Sequence, residues 1–564
     1  MSTSSSASEV FRVADRVVER VCELSPITAT FVGVAGHETE LDDFSPAASE
    51  RRLRMHEEAL AEVAALSPSD PDDVLARTVM SERLEVGREL DRRGEVARTF
   101  GVIESPGQSI RQVFEVMPSS SPDDAPAMVE RLRAVPASLS SWRETLEDLI
   151  RDESALARRH VVGVADQLRA MAEGGFDDLA TRCAQSCGVD AESSGLRDAT
   201  EVATRAFGEM SQWLTTSCAP HCAGSPYVGK ERYSLWSRYY LGMEVDPLET
   251  YQWGWAELAR LNERMWQLAQ DLAPGVASLA EVARRLDRDP RLVVHGTEEL
   301  LDRLRTFTDG VVARLNGREF SIDERIQHCD VRLAPQGSAG APYYMMPNED
   351  LSRPGTTWYP TLGHDEFPWW PLPSTWCHEA VPGHHLQLAT VVINSHRLSR
   401  FQRLVGSTSG WAEGWALYAE RLMDELGYFE EPAIEMGFLQ GQALRAARVV
   451  VDIGLHLQLQ APEDFGELEG MGDVSGRVWT PEMAVETLVQ RAIESRDMSV
   501  SEVERYLAIP AQAISYKVGE REWLSVRDVE RTRLGAAFSL RDFHDRALAL
   551  GPVALTDLRA LLRG

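Results

Sequence analysis

The residues with the clearest capacity for chemistry lie between Trp376 and Gln387, in the order Trp-Cys-His-Glu-Ala-Val-Pro-Gly-His-His-Leu-Gln. A His-Glu pair followed by further histidines on a helix is how zinc hydrolases supply metal ligands and a general base together. The usual spacing puts the second histidine four residues after the first, but Pro382 holds that position here. The segment therefore predicts a metal site with His378 as a ligand, provided that the chain departs from a regular helix.

The second ligand depends on how the proline-glycine pair breaks the helix. On an ideal helix His385 shares the face of His378 but lies roughly 10 Å further along the axis, too far to bind the same ion. Proline removes a backbone donor and glycine relaxes the dihedral limits, so a break could draw a later histidine back. We favour His384 as the second ligand and keep His385 as the alternative. Glu379, adjacent to the first ligand, is the predicted general base.

A third ligand is predicted on the helix-forming segment from 410 to 421. Glu413 lies in its first turn among Trp and Ala residues, and a buried lone carboxylate is costly unless it is paired or binds a metal. Glu420, two turns later, is interpreted as an acceptor that orients a ligating histidine or as an ordinary ion-pair partner. His378, His384 and Glu413 would hold one Zn²⁺ ion and leave a fourth position open.

An apolar stretch from Leu439 to Gln460 carries ionisable residues at three- and four-residue spacing, namely Arg445, Arg448, Asp452 and His456. Such a stripe is typical of a salt-bridge ladder between helices. It would equally suit residues that bind a substrate carboxylate or orient metal ligands. We therefore keep Asp452 and His456 as supports of the metal ligands or alternative ligands.

Near the end of the chain, Tyr516 and Lys517 stand in the string Gln-Ala-Ile-Ser-Tyr-Lys-Val-Gly. A phenol can donate a hydrogen bond to the oxygen that becomes negative during acyl transfer, which makes Tyr516 a catalytic candidate. Alone, a Tyr-Lys pair is also typical of a satisfied surface pair. On charge grounds, Arg445, Arg448 and Lys517 are the candidates for binding a substrate carboxylate.

The elements around these residues are predicted to be mainly α-helical. Apolar residues recur every three or four positions through most of the first 300 residues, as on amphipathic helices. From about 318 to 360, short runs at 320–326, 331–333, 343–346 and 356–359 are separated by Pro, Gly and Ala, which predicts a small sheet or extended loops. Helices return after Ser374, apart from a loop at 463–477, and Thr480-Pro481 begins one of them. We divide the chain into a helical N-terminal region, 1–300, and a metal-binding catalytic region, 301–564, both parts of one intertwined helical body.

Charge and composition exclude several classes of function. The 564 residues include 58 Lys and Arg against 88 Asp and Glu, a net charge of −30, which disfavours nucleic acid and anionic membranes as partners. The first ten residues lack the basic and apolar segments of a secretory signal, and no run reaches about 18 uncharged apolar residues. We expect a cytoplasmic protein, and we make no prediction of its oligomeric state.

The seven cysteines are expected as thiols in a reducing compartment. A second zinc site could be formed by Cys183 and Cys187 together with the string Cys218-Ala-Pro-His221-Cys222. Their spacing is wider than the usual Cys-x-x-Cys of structural zinc motifs and suits small apolar residues on helix faces. The second zinc site is therefore disfavoured.

Motifs spread along nearly the whole chain resemble the bacterial family called domain of unknown function 885, itself similar to zincin metallopeptidases of the glutamate-ligand type. In chain order they are Ser25-Pro26-x-x-Ala29-Thr30, Tyr343-Tyr344, Arg353-Pro-Gly355, His378-Glu379-Ala-Val-Pro-Gly-His384-His385-Leu-Gln387, Glu413-Gly-Trp-Ala-Leu-Tyr-Ala-Glu420, Arg448-Val-Val-Val-Asp452-x-Gly-Leu-His456 and Pro510-x-Gln-Ala-x-Ser-Tyr516-Lys517-Val-Gly519. The resemblance implies a large helical zincin-like body with a cleft. It also implies an extended strand above the metal, supplied by 318–360, with Tyr344 as a substrate-binding candidate.

These observations predict a zinc-dependent hydrolase of amide bonds, acting on short peptides through metal-activated water, with Glu379 as base and Tyr516 as oxyanion donor. One alternative keeps the metal site but acts on a small biosynthetic amide. Another is a non-catalytic binding protein that retains the metallopeptidase fold.

Overall fold

The computed structural model describes residues 8–153, 155–174, 176–335 and 340–563. In these ranges the chain is mainly helical with small sheets, which confirms the predicted fold class at this level. The helices α1 to α24 are, in chain order, Glu9–Leu24, Pro26–Phe31, Pro46–Ala65, Pro71–Arg92, Glu95–Arg98, Pro106–Val116, Ala125–Leu149, Arg158–Gly174, Asp177–Cys187, Leu196–Trp213, Gly229–Leu241, Pro247–Leu272, Leu279–Asp287, Thr297–Leu315, Leu372–Glu379, His384–Ile393, Arg400–Leu404, Ser409–Glu425, Pro432–Leu457, Pro481–Arg491, Arg496–Ala508, Ser515–Leu534, Leu540–Ala549 and Leu555–Arg563. Among the helices in these ranges, none has the length and apolar character needed to cross a lipid bilayer.

Local side chains fix where many helices begin. Thr480 accepts a hydrogen bond from the backbone of Met483 and Pro481 occupies the first turn of α20, as the cap and proline predict. Thr408 likewise accepts from the backbone of Trp411 at the start of α18. Each cap satisfies a backbone donor that the first turn of a helix leaves without a partner.

The chain forms two compact units. The first contains the described parts of Met1–Ser69, Met80–Val228 and Glu504–Ile509, and the second those of Asp70–Val79, Gly229–Val503 and Pro510–Gly564. The division at residue 300 drawn from the sequence falls inside the second unit. It does so because α12, which precedes residue 300, packs against α19, which follows it.

In the first unit, α10 packs against α7 and α8 around an apolar core that includes Leu132, Trp142 and Phe207. The four cysteines of the disfavoured second zinc site belong to the same core: Cys183, Cys187, Cys218 and Cys222. All of them are buried thiols. They serve as small core residues, as their spacing suggested.

In the second unit, α18 packs closely against α22. A Cβ on Gly414 would lie 2.6 Å from the Cα of Gly519, so a side chain at this crossing would push the helices apart. The surrounding core contains large buried side chains: Trp376, Trp411, Trp415, Trp479 and Trp523. The close crossing brings the carboxylates of α18 and the first turn of α22 into one region.

The second unit also contains the strands, β1 to β7: Val293–His295, Asp330–Leu333, Tyr343–Met345, Thr356–Tyr359, Glu366–Pro368, Glu467–Leu468 and Gly472–Asp473. One sheet has the order β2-β4-β3, with β4 parallel to β2 and antiparallel to β3, and two further pairs join β1 to β5 and β6 to β7. The run at 320–326 is not a strand. It makes an isolated bridge at Phe320 and a short 3-10 turn at Glu324–Ile326.

Candidate metal centre

The proline-glycine pair interrupts the helix after Glu379, and a new helix begins at His384. Gly383 donates a backbone hydrogen bond to the Cys377 carbonyl at 3.0 Å. A Cβ on Gly383 would lie 1.9 Å from the carbonyl oxygen of His378, so only glycine fits this close approach. The break turns the chain back on itself and leaves the His378 and His384 rings with centroids 4.8 Å apart.

Three potential ligand atoms converge at this break. Oε2 of Glu413 lies 3.2 Å from Nε2 of His378 and 3.5 Å from Nε2 of His384. Ligand atoms about 2.0 to 2.1 Å from a tetrahedral zinc ion are about 3.3 Å from one another. The two distances from Glu413 match this value and all three atoms lie within 4.8 Å of one another, so His378, His384 and Glu413, named below as the His-His-Glu group, could hold one metal ion.

The opposite edge of the His378 ring is held by Glu420. Nδ1 of His378 lies 2.9 Å from Oε1 of Glu420, and Ser374 donates from its hydroxyl to the other oxygen at 2.5 Å. A carboxylate against Nδ1 keeps a proton there, so that Nε2, which faces Glu413, is the nitrogen that would bind a metal ion after losing its own proton. Ser374 escaped the sequence analysis, although its place one turn before His378 puts it on the same helix face.

The charges of this region favour a bound cation. Burial lowers the pKa of His378, but hydrogen bonds to Glu413 and Glu420 outweigh it and raise that pKa to about 9. Burial raises the pKa of Glu413, whereas His378 and His384 bring it well below its usual value. Three carboxylates, Glu379 included, thus surround two imidazoles, and the excess negative charge is suited to a divalent cation.

Glu379 and Tyr516 both border the His-His-Glu group. Glu379 is only 8% exposed, and none of the described residues donates a hydrogen bond to its carboxylate. Burial raises its pKa, against the effect of both histidines. The Tyr516 ring stacks on that of His378 with centroids 6.4 Å apart. Glu379, a proton acceptor, and the phenol of Tyr516 therefore both lie beside the His-His-Glu group.

His385 lies outside the group. Its Nδ1 is 3.0 Å from the hydroxyl of Tyr344 and its Nε2 is 2.8 Å from the carbonyl oxygen of Ile326. Burial lowers its pKa to about 4. Because both ring nitrogens have protein partners, the geometry does not support His385 as the alternative ligand. The same contact engages the hydroxyl of Tyr344, the substrate-binding candidate on β3.

Asp452 and His456 also lie outside the group, in a separate buried cluster. Tyr233 donates its hydroxyl hydrogen to Oδ2 of Asp452 at 2.5 Å, and the backbone N–H of Ala511 donates to the same oxygen at 3.0 Å. Nε2 of His456 lies 3.8 Å from the other carboxylate oxygen. Through Ala511, this cluster anchors the loop before α22, the helix that carries Tyr516. It contributes no ligand atom to the His-His-Glu group.

Lys517 is buried among polar partners. Its side chain is 1% exposed, and its ammonium lies 2.5 Å from Glu520 and 3.1 Å from Glu257 and donates to Gln442 at 2.5 Å. A substrate carboxylate would have to displace two carboxylates that already neutralise it. The geometry therefore does not support Lys517 as a substrate-binding residue, because Glu520 on its own helix and Glu257 on α12 already pair with it.

The fold and the site together define a mainly helical protein with a His-His-Glu group of metal-ligand geometry. The chain belongs to the bacterial family DUF885, described as a bacterial protein of unknown function, whose model matches residues 26–562.

Two solved structures have the same fold. A protein from Colwellia psychrerythraea titled a "putative lipoprotein" is 21% identical with a TM-score of 0.83, and the match covers 98% of both chains. A second, a "putative lipoprotein of unknown function" from Shewanella oneidensis, is 19% identical with a TM-score of 0.75, and the match covers 99% of this chain and 100% of that one. No curated protein matches this sequence. At this identity the likeness shows the fold alone.

Proposed function

We propose that this protein is a zinc-dependent hydrolase of amide bonds that acts on short peptides. The observation that carries the proposal is the convergence of Nε2 of His378, Nε2 of His384 and Oε2 of Glu413 beside the buried carboxylate of Glu379. Two histidines and one glutamate form a known ligand set of catalytic zinc. The proposal includes a likeness to zincin metallopeptidases of the glutamate-ligand type.

In this mechanism the residues of the chain have separate tasks. His378, His384 and Glu413 would hold the zinc ion, which would supply Lewis acidity to polarise the carbonyl and acidify water. Glu379 accepts the proton of the attacking water and passes it to the leaving amine. Tyr516 donates a hydrogen bond to the carbonyl oxygen as negative charge develops there. Glu420 keeps a proton of His378 on Nδ1, so that Nε2 would be the atom that binds the metal.

A peptide substrate is favoured by the position of β3. It is an outer strand of its sheet, and Tyr344 on β3 contacts His385 at the start of α16, next to His384. An outer strand can pair with an extended peptide through backbone hydrogen bonds. A peptide bound in this way would lie alongside the helix that carries the second proposed ligand.

The test is digestion of a mixed library of short peptides, read by mass spectrometry, with protein stripped by chelator and then reloaded. We expect cleavage with zinc restored and none in the stripped protein or after addition of magnesium alone. If the protein binds zinc and cuts no member of the library, the assignment to peptides is wrong and small amides become the substrates to test. If reloading makes no difference to cleavage, the metal mechanism is wrong.

A further inference from the structure

The three basic side chains that could bind a substrate carboxylate differ in their partners. Glu257 and Glu520 neutralise Lys517, and Glu502 pairs with Arg448 at 2.9 Å. Arg445 lies on the same helix as Arg448, α19, and is partly buried. Within the described residues, Arg445 forms no ion pair.

The hydrogen bonds of Arg445 are equally few. Within the described part of the chain its guanidinium makes one hydrogen bond, from Nη1 to the carbonyl oxygen of Gly441 at 3.2 Å, and its Nε is buried without a partner. An arginine has five N–H donors in a planar fork that matches a carboxylate. A buried guanidinium donor without a partner carries a desolvation cost, which a bound anion would offset.

Arg445 lies close to the proposed catalytic residues. A Cβ on Gly441 would be 3.1 Å from Nη1 of Arg445 and 3.6 Å from Oε2 of Glu420, so the guanidinium and this carboxylate flank one glycine. Both oxygens of Glu420 are already engaged, by His378 and Ser374. The cation is thus one side chain away from a proposed metal ligand, and no carboxylate of the described residues lies within ion-pair distance of it.

We propose that Arg445 binds a carboxylate of the substrate, which makes the substrates short peptides or acyl amino acids with a negative group near the scissile amide. The inference rests on the proposed function, since it names the substrate class of that site. A carboxylate has two sources in a peptide, the free C-terminus and an acidic side chain. The guanidinium would recognise the same group in either.

Three matched peptides separate these sources: acetyl-trialanine with a free C-terminus, its C-terminal amide, and the amide with glutamate as the last residue. Cleavage by zinc-loaded wild type, Arg445→Gln and Arg445→Lys is followed by chromatography and mass spectrometry. Arg285→Gln is the control, because Arg285 is exposed and pairs only along its own helix with Glu281. Thermal melting checks that each variant is folded.

We expect Arg445→Gln to raise KM for the carboxylate-bearing peptides roughly 10- to 100-fold, the usual size of a lost charged hydrogen bond. The neutral amide should be cut equally well by wild type and variant, and Arg445→Lys should recover part of the loss. Equal losses on charged and neutral peptides would overturn the inference, because they would show that Arg445 only positions Glu420. Unchanged KM for all three would overturn it as well.

A binding measurement separates failure of this inference from failure of the proposed function. Calorimetry with the zinc-loaded Glu379→Gln variant measures binding of the free-carboxylate and amidated peptides without turnover. Tighter binding of the free carboxylate, lost when Arg445→Gln is added, supports the inference even if wild type cleaves neither peptide. No preference for the carboxylate contradicts it, whatever the cleavage results.

Discussion

The two units each contain a cluster of residues of types that bind metals, and the clusters differ in what surrounds them. In the second unit, the ligand atoms of His378, His384 and Glu413 lie within 4.8 Å of one another. In the first unit, Cys218 and Cys222 have sulfur atoms 3.8 Å apart but are packed inside an apolar core. Both clusters therefore bring atoms of metal-ligand type close together.

The difference lies in the ionisation state that the surroundings favour. Burial raises the pKa of Cys218, and the nearby Cys222 raises it further, so that the pair stays as neutral thiols. A metal needs thiolates. In the His-His-Glu group the carboxylate of Glu413 is kept ionised by its histidines, and Glu420 orients one ring. The candidate site differs from the cysteine core because polar neighbours keep its ligand atoms ionised and oriented. Residue type alone does not make this distinction.

The largest expected effect is that of Glu379→Gln, which keeps the size of the side chain and removes the base. We expect turnover to fall about 10²- to 10⁴-fold, the usual contribution of a general base, with metal content unchanged. Cys218→Ala in the first unit should leave turnover as in wild type. Steady-state kinetics on a cleaved library peptide measure both. A Glu379→Gln enzyme within about twofold of wild type would remove Glu379 from the mechanism.

The support from Glu420 predicts an effect on metal affinity. Glu420→Gln should weaken zinc binding roughly 10- to 100-fold, because residues that orient a ligating histidine commonly contribute this much. Competition with a fluorescent chelator measures the affinity. Glu425→Gln is the matched control, since Glu425 lies on the same helix but pairs with Arg527. If both variants bind zinc equally well, the contact between His378 and Glu420 does not support the metal.

His544 is a buried histidine outside the His-His-Glu group, and its pKa is shifted in the opposite direction from that of His378. Burial lowers the pKa of His544 to about 3, and its ring accepts from Tyr418 and donates to the Glu319 carbonyl. The unfolded chain, with a histidine pKa near 6.5, binds more protons than the folded one between these values. The free energy of unfolding should therefore fall as the pH drops below about 6.5, by up to about 1.4 kcal/mol per pH unit from this group.

Urea unfolding of wild type and His544→Gln at a series of pH values from about 7 to 5 isolates this contribution. The variant should lose stability less steeply with falling pH than wild type. Parallel curves for the two proteins would contradict the buried, neutral state of His544.

The smallest effect is expected in the cysteine core. Cys218→Ala should cost about 1 kcal/mol of unfolding free energy through lost packing, with metal content unaffected. The native thiols should react slowly with a thiol reagent and rapidly after denaturation, because burial keeps them protonated and inaccessible. Loss of bound metal in Cys218→Ala would contradict the assignment of these cysteines to the core.

Much of the fold follows from local sequence patterns. Apolar periodicity predicts the helices, Thr480-Pro481 predicts the start of α20, and short aromatic and β-branched runs predict β2 to β4. These features depend on neighbours a few residues away. The division into units depends on contacts such as that of α12 with α19, which no local pattern reveals.

The candidate site divides in the same way. The types and spacing of His378, Glu379 and Glu413 indicate metal chemistry without a structure. The preference for His384 needs the break at Gly383, whose glycine fits only because the carbonyl of His378 lies against it. The burial of Lys517 depends on Glu257, which is far away in sequence. Residues that act through distant partners are those that the sequence assigned least well.

The most direct test of the central claim is the metal content of protein purified without chelator or nickel, measured by plasma mass spectrometry. The wild type is compared with His378→Ala, His384→Ala, Glu413→Ala and His385→Ala. We predict about one zinc ion per chain in wild type, lost in the first three variants and retained in His385→Ala. Wild type that holds no metal after zinc is added back, or a His384→Ala variant that keeps it, would contradict the account.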